Sequence, residues 1–464
     1  MKSVLAVMLM MMALLTSYAG AADEDTSVRF GKFGDVLLYH AAGQPQRVIL
    51  LLSDDAGWDA DSTVMAQALA DTGTLVLGID TRYYRQQLEA QTQSCLYPAG
   101  DLEALSQFVQ KKLGLNHYIV PLLVGRGAGA TLAYGALAQA PANTFGAGIG
   151  LNFCPADTLT RPACRGYGLV STRMPDRQGY RLEPNKKLSS PWWVLVGSRS
   201  AACDAALGKT FMAAMPSAHW SRVNESGQHD ADNHAWHAAL ELTLSSLKPS
   251  TAETHPPAAL ADLPLIEVRA KTDATDTLIV ILSGDGGWAS IDRDLATHLA
   301  AQGHSVVGLN SLAYFWQRRT PDGAARDLDR ILTYYLAAWH KQKIILIGYS
   351  RGADVLPFMA NRLSPDLLQR TRLVALLGLE MEVEFEFHVQ DWLSSRNNTS
   401  LPVLPEVEKL RGVPLLCIAG EDESHSLCPK LDPKLATAVI LQGGHHFGGD
   451  YTHLSRLILK AAGD

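Results

Sequence analysis

The chain repeats itself. Val48–Trp58 reads Val-Ile-Leu-Leu-Leu-Ser-Asp-Asp-Ala-Gly-Trp, and Leu278–Trp288 reads Leu-Ile-Val-Ile-Leu-Ser-Gly-Asp-Gly-Gly-Trp. Ser53 aligns with Ser283, Gly57 with Gly287 and Trp58 with Trp288, all at an offset of 230 residues. The register continues through Gly73 and Gly303, Gly78 and Gly308, Tyr84 and Tyr314. A match this long and this regular marks a tandem duplication, so both halves must adopt one fold. Each copy opens with an aliphatic strand and a Gly/Asp loop ending in Trp. An amphipathic helix follows (64–71 and 294–301), then a second strand (75–79 and 305–309). Apolar strands alternating with helices predict parallel βαβ units and an α/β sheet in each copy. Residues 248–264 carry Pro249, Pro256 and Pro257 among Ser, Thr and Ala, and read as a linker between a copy at 22–247 and a copy at 265–464.

The second copy contains Gly348-Tyr349-Ser350-Arg351-Gly352, directly after the aliphatic run Ile344–Ile347 and before a helix-compatible stretch to Arg362. Gly-X-Ser-X-Gly between a buried strand and a helix is the nucleophile elbow of α/β-hydrolases. Side chains at Gly348 and Gly352 would crowd the turn that presents Ser350. In the first copy the matching pentapeptide is Gly125-Arg126-Gly127-Ala128-Gly129. Its outer glycines persist, but the position of the nucleophile is Gly127, which has no side chain to attack a carbonyl. The expected architecture is a tandem pair of α/β-hydrolase-like domains, each a mostly parallel sheet flanked by helices, with chemistry in the second copy only.

The hydrolase order is serine, acid, histidine. After the expected strand 413–419 the chain reads Gly420-Glu421-Asp422-Glu423-Ser424. A carboxylate here would orient an imidazole and stabilise its protonated form. Spacing favours Glu423 and residue type favours Asp422, and both stay open. After the expected strand 438–441 comes Gly443-Gly444-His445-His446-Phe447. A glycine-rich loop lets an imidazole reach the serine as general base and then general acid; the pattern favours His445 over His446. Two backbone amides should form the oxyanion hole, one from Arg351 and one from the loop Ser283–Trp288, at Asp285 or Gly286. Trp288 and the stretch Tyr314-Phe315-Trp316-Gln317-Arg318-Arg319 are candidates to hold substrate, through Tyr314, Trp316 and Arg319. Glu380–His388 alternates acid and apolar residues at period two, as a half-exposed strand does.

A net charge of −7 gives no basic patch for nucleic acid. No Gly-X-Gly-X-X-Gly or Gly-Lys-Ser/Thr pattern calls for a nucleotide, and the cysteine spacing fits no zinc site, so no cofactor or metal is expected. Lys2, the apolar run 4–15 and Ala19-Gly20-Ala21 read as a secretory signal peptide over residues 1–21, cut after Ala21, which places the protein in the periplasm. Six cysteines, four in the first half and two in the second, fit disulfides within halves. The expected pairs are Cys417–Cys428 and Cys154–Cys164.

At Ser283–Trp288, Tyr314–Trp316 with Arg319-Thr320-Pro321, Gly348–Gly352, Ser426–Pro429 and Gly443–Phe447, the sequence resembles the AcvB/VirJ family of bacterial periplasmic virulence-associated proteins. The resemblance spans essentially the whole mature chain, and the two-copy layout is similar to the longer, AcvB-type member. It implies an α/β-hydrolase that cleaves the aminoacyl ester of aminoacylated phosphatidylglycerol, lysyl or alanyl, at the membrane surface. It carries Ser350 over as nucleophile and the His445-His446 pair as base, and implies a link to virulence and, for VirJ, to type IV secretion-system components. Two other functions fit the same residues: a non-catalytic periplasmic accessory of secretion, and a hydrolase of another ester.

Overall fold

The repeated aliphatic runs become central strands of two separate sheets in the computed structural model, which describes residues 26–175, 178–198, 205–247, 256–272, 275–288, 290–387 and 400–464. The expected signal peptide, Cys203 and the first part of the expected linker lie outside the described residues. In the second copy the sheet has seven strands, in the order Leu265–Val268, Val306–Leu309, Thr277–Leu282, Lys343–Tyr349, Thr371–Leu377, Leu415–Gly420 and Thr437–Leu441. All neighbours are parallel except the first pair. Thr277–Leu282 and Ile344–Tyr349 are buried throughout, as parallel strands covered on both faces must be. The main sheet of the first copy has eight strands and the same core order, with Arg47–Leu52 between Thr74–Ile79 and Leu122–Arg126, plus a hairpin of Ser27–Phe30 with Gly34–Tyr39 at one edge.

The repeated signature residues do the same structural job twice. Trp58 lies flat over Gly78 on the neighbouring strand, and Trp288 over Gly308; an added Cβ would sit 2.5 Å from the first ring and 2.2 Å from the second. Ser53 Oγ accepts from the Thr81 amide at 3.0 Å and Ser283 Oγ from the Ser311 amide at 2.9 Å. Tyr84 donates to Asp101 at 2.8 Å and Tyr314 to Asp327 at 2.6 Å. The repeat is a record of packing constraints.

The two copies meet along a seam built on Trp316. Its ring has no exposed surface. Its indole N–H donates to the Leu115 carbonyl at 2.7 Å, and Lys111 Nζ donates to the Trp316 carbonyl at 2.5 Å. Tyr118 and Phe387 pack on the ring from opposite copies, with centroids 5.3 Å and 5.5 Å away. Lys111 also pairs with Glu386 at 3.0 Å, and Asn143 donates to the Trp288 carbonyl at 3.1 Å.

Three expectations need correction. Cys164 is bonded to Cys95, not to Cys154, which is itself disulfide-bonded. The pairing follows backbone contact, since Leu96 N–H donates to Pro162 O and Cys164 N–H to Leu96 O, drawing those two segments together. Cys417–Cys428 is present as expected. The end of the expected linker is packed: Leu260 and Leu263 enter the second core and Asp262 pairs with Arg330. Glu380–Phe387 forms only a two-residue strand, Glu382–Val383, against Leu401–Pro402. Its apolar set, Val383, Phe385 and Phe387, does face inward, but its next backbone bonds go to Phe315 and Arg319 instead of a sheet.

No helix among the described residues is long and apolar enough to cross a membrane. Gly308→Ala should cost roughly 1–3 kcal/mol by forcing Trp288 out of its seat. Urea unfolding of that variant checks the packing role of the pair, and an unchanged midpoint would contradict it.

Candidate active site

Helix Arg351–Ala360 can follow strand Lys343–Tyr349 this closely only because two glycines touch. A Cβ on Gly348 would lie 2.4 Å from the Gly352 carbonyl oxygen, and one on Gly352 would lie 2.2 Å from the Leu282 carbonyl oxygen. The turn holds Ser350 at φ 52° and ψ −125°, a backbone state that disfavours any side chain. Gly127 adopts nearly the same state, φ 49° and ψ −113°, in the first copy. The elbow therefore exists twice, and only one copy accepts the strain of placing a serine there.

The first copy also displays what the elbow amides bind. Asp54 Oδ1 accepts from the Ala128 amide at 2.9 Å and from the Asp55 amide at 2.8 Å. Ala128 is the first residue of its elbow helix, as Arg351 is of the other, so neither amide has an acceptor within its helix. The repeat aligns Asp55 with Asp285. The Asp54 carboxylate oxygen is thus held by the counterparts of the Arg351 and Asp285 amides. Asp54 aligns with Gly284, whose missing side chain leaves the same position open in the second copy. A Cβ on Gly127 would lie 2.2 Å from Asp54 Oδ1, so the first copy has filled its own site. A cavity of about 370 Å³ remains beside it, lined by Asp54, Arg126, Glu225, Asp232 and Trp236.

The loops after the last two strands bring the acid and histidine together. Glu423 Oε1 is 2.5 Å from His445 Nδ1, and Glu423 Oε2 accepts from the Gly420 amide at 2.5 Å. Both carboxylate oxygens are thereby fixed, and the ring is turned with Nε2 away from the acid. Gly378 makes room: a Cβ there would be 2.7 Å from the His445 ring. Gly378 follows Leu377, whose carbonyl accepts from the Ser350 amide at 2.8 Å, so the imidazole stands beside the elbow. The Tyr349 ring lies 5.1 Å from that of His445, and its hydroxyl donates to the His445 carbonyl at 3.2 Å.

Asp422 is exposed, whereas Glu423 is half-buried. Of the two acids left open by the sequence, Glu423 is the one in place, because Asp422 points outward where the chain turns from Gly420. His446 sits 3.4 Å from the Tyr349 hydroxyl rather than at Glu423, and burial, followed by the neighbouring His445, lowers its pKa. Gly286, the other oxyanion candidate, aligns with Ala56, which takes no part in holding Asp54. Tyr314 and Trp316 are fully buried and Trp288 is 5% exposed, so none offers a face to a ligand. Arg319 stacks over the Tyr314 ring at 4.6 Å and donates to its carbonyl at 3.2 Å. These four belong to packing. The repeat itself carried the warning for Trp288 and Tyr314, since both recur in the copy without a nucleophile.

Sequence reading missed several groups around the site. Asp54 was visible as the one polar mismatch to Gly284 in the aligned loop. Asp354, on the elbow helix, is buried and accepts from the Glu380 amide at 2.8 Å; burial pushes its carboxyl well above the usual range. Tyr167 of the first copy stands edge-on to His446 at 6.5 Å. Glu103, on helix Pro98–Lys112, is crowded by protein while solvent still reaches part of its side chain. Burial first, and the charge of Asp285 second, push its carboxyl up to about 7. Nothing in the sequence places Tyr167 or Glu103 opposite the second copy.

Residues 276–464 match the bacterial virulence protein (VirJ) family. No curated protein matches the chain. Among solved structures it is similar to the esterase domain of a Rhodothermus marinus protein (13% identity, 45% of this chain and 91% of that chain, TM-score 0.31). It is also similar to Est1E from Butyrivibrio proteoclasticus (13%, 43% and 94%, 0.32) and to MenH from S. aureus (16%, 43% and 99%, 0.33).

Two outcomes follow from this geometry. Ser350→Gly should raise stability by roughly 1 kcal/mol, the relief of backbone strain exceeding the added entropy of the unfolded chain; denaturant titration checks it. Glu103 holds its proton to about pH 7 when folded, whereas the unfolded chain releases it near the ordinary carboxylate value of about 4.3. The unfolded state then binds fewer protons across that window, so stability falls as pH rises through it. The melting temperature of Glu103→Gln should therefore gain on that of the parent between pH 5 and pH 8, and a constant difference would contradict the assignment.

Proposed function

We propose, from the match of residues 276–464 to the bacterial virulence protein (VirJ) family, that the second copy is a periplasmic serine hydrolase of aminoacylated phosphatidylglycerol. The observation that carries this reading is the Glu423–His445 contact at 2.5 Å, set beside an elbow that presents Ser350. In the reaction, Ser350 Oγ attacks the aminoacyl carbonyl and passes its proton to His445 Nε2. Glu423 accepts from Nδ1–H, fixing the tautomer and stabilising the imidazolium. The amides of Arg351 and Asp285 receive the negative oxygen, as their counterparts receive the Asp54 carboxylate. Collapse breaks the ester bond, and His445 returns the proton to the leaving glycerol oxygen, giving phosphatidylglycerol. Water, deprotonated by the same imidazole, then splits the aminoacyl-enzyme and releases the amino acid.

The substrate rests on the family and on fit. An aminoacyl ester is an activated carbonyl that a serine can open without a metal ligand set. Its ammonium group suits an approach lined by the exposed Asp285. The disulfides Cys95–Cys164 and Cys417–Cys428 suit an oxidising compartment, which favours the periplasm.

A non-catalytic secretion accessory is the second reading, and the first copy favours it to this extent: the fold there persists with Gly127 in place of the nucleophile. The two are separated by purified protein and lysyl-phosphatidylglycerol vesicles. Ser350→Ala should remove amino acid release and fluorophosphonate labelling while leaving the melting temperature near that of the parent. Glu423→Gln should lower kcat by about 10⁴, and Asp422→Asn should stay within a few-fold of the parent. Release of amino acid by Ser350→Ala at the parental rate would end the hydrolase reading.

A further inference from the structure

The first copy has lost more than a serine, and its strand pairings show what else has changed. The Gly127 amide donates to the Leu151 carbonyl as the Ser350 amide does to that of Leu377. Asn152 therefore stands where Gly378 makes room for the His445 ring, and both have positive φ, 54° and 71°. Gly197 pairs with Val223 as Gly420 pairs with Leu441. The fourth residue after Val223 is Gly227, and the fourth after Leu441 is His445. The positions of nucleophile and base are thus both glycine. Asn152 has also taken over a contact of the acid: its Oδ1 accepts from the Gly197 amide at 2.9 Å, as Glu423 Oε2 accepts from that of Gly420. The space has not closed. The cavity of about 370 Å³ is lined by Gly127 and Gly227 themselves, and small-molecule pockets run from about 300 to 1,000 Å³.

Helix His229–Ser246 lines this cavity with His229, Asp232, Asn233 and Trp236, the i, i+3, i+4 and i+7 positions of one face. A helix packed on a sheet ordinarily puts apolar residues on such a stripe; this one starts with polar groups. Their charges are balanced within the wall. Asp61 lies 2.7 Å from His229 Nε2 and 3.8 Å from Arg126. Asp232 accepts from the Ser226 and Gly227 amides at 2.6 Å and 3.2 Å. Both acids stand in the first turn of their helices, where the helix dipole favours a negative charge. The Trp236 indole donates to Glu225 at 3.1 Å. The capacity left over is mixed. Among the described residues Asp54 Oδ2 and Asn233 Oδ1 accept no hydrogen bond, and Asn152 Nδ2 donates none. An ammonium can only donate, and would leave Asn152 unmatched; a hydroxyl both donates and accepts. We propose that the first copy is a binding module for a small neutral polyol of the monosaccharide class, held in the emptied catalytic cavity by Asp54, Asn152 and Asn233. Trp236 and Met65 give its C–H face an apolar surface. With glycine at 127 and 227, the ligand is held and not cleaved. This assignment does not depend on the chemistry proposed for Ser350.

Isothermal titration calorimetry of the full-length protein tests this with glucose, galactose, mannose, ribose and glycerol as polyols, putrescine and lysine as cations, and inorganic phosphate. At least one polyol should bind saturably, with a Kd of about 1 mM or below, and the cations and phosphate should not. Asn233→Ala should weaken that binding by about tenfold, the scale of one hydrogen bond lost in a site. Asn233→Leu, which also fills the space, should abolish it while melting near the parent. Ser350→Ala should bind as the parent does, because the cavity lies in the other copy. Binding of none of the five polyols would overturn the proposal. So would binding of an amine or phosphate alone, or polyol binding that a folded Asn233→Leu leaves unchanged, which would place the site elsewhere.

Discussion

The contact between Gly348 and the Gly352 carbonyl, repeated between Gly125 and Gly129, is the constraint on which the rest depends. It brings a helix N-terminus hard against the end of a buried strand, and in doing so forces the intervening residue to positive φ. Backbone amides that would otherwise be capped are left aimed at one point above the sheet. Once that turn exists, a site for a negative oxygen exists with it, whether or not a nucleophile stands there. The two copies show the two ways of filling it. In one, Asp54 supplies the negative oxygen permanently. In the other, Gly284 has no side chain to place there, and Ser350 stands at the strained position.

That comparison changes the meaning of the duplication. A lost nucleophile alone would leave a helix start with unsatisfied amides and an open, purposeless pocket. The Asp54 carboxylate satisfies the amides and holds the turn, so the first copy keeps its fold without a serine there. Its surface has become the complement of its twin: Trp316, fully buried, plugs into the carbonyl of Leu115, and Lys111 locks the seam from the other side. The catalytic residues proposed here lie in one copy, and residues of the other reach two of their loops through Asn143 and Tyr167.

Much of this was legible in the sequence, and for identifiable reasons. Gly-X-Ser-X-Gly after an aliphatic run is readable because both glycines are demanded by backbone contact within a few residues. The parallel sheet is readable because strands covered on both faces leave unbroken aliphatic runs. The choice between Asp422 and Glu423 was not readable: both sit in one short loop, and only the path of the chain past Gly420 and Gly378 decides which carboxylate meets His445. The reading of Trp288, Tyr314 and Trp316 as substrate contacts failed because aromatic residues near a catalytic motif look alike whether they line a pocket or fill a core. The Cys154–Cys164 pairing failed because closeness in sequence was allowed to stand for closeness in space.

The sequence by itself determined that there are two copies of one α/β fold, that one elbow carries a serine and the other does not, and which histidine-bearing loop accompanies the serine. These are local or periodic properties, fixed by sterics within a turn or by the pattern of burial along a strand. Tertiary structure alone decided that Asp54 occupies the elbow site of the first copy, that Cys95 takes Cys164, that Trp316 is a seam residue and that Tyr167 stands against His446 of the other copy. Each of those is a contact between residues far apart in the chain. No local propensity encodes such a contact, because its energy appears only when the surrounding surfaces have already been brought together.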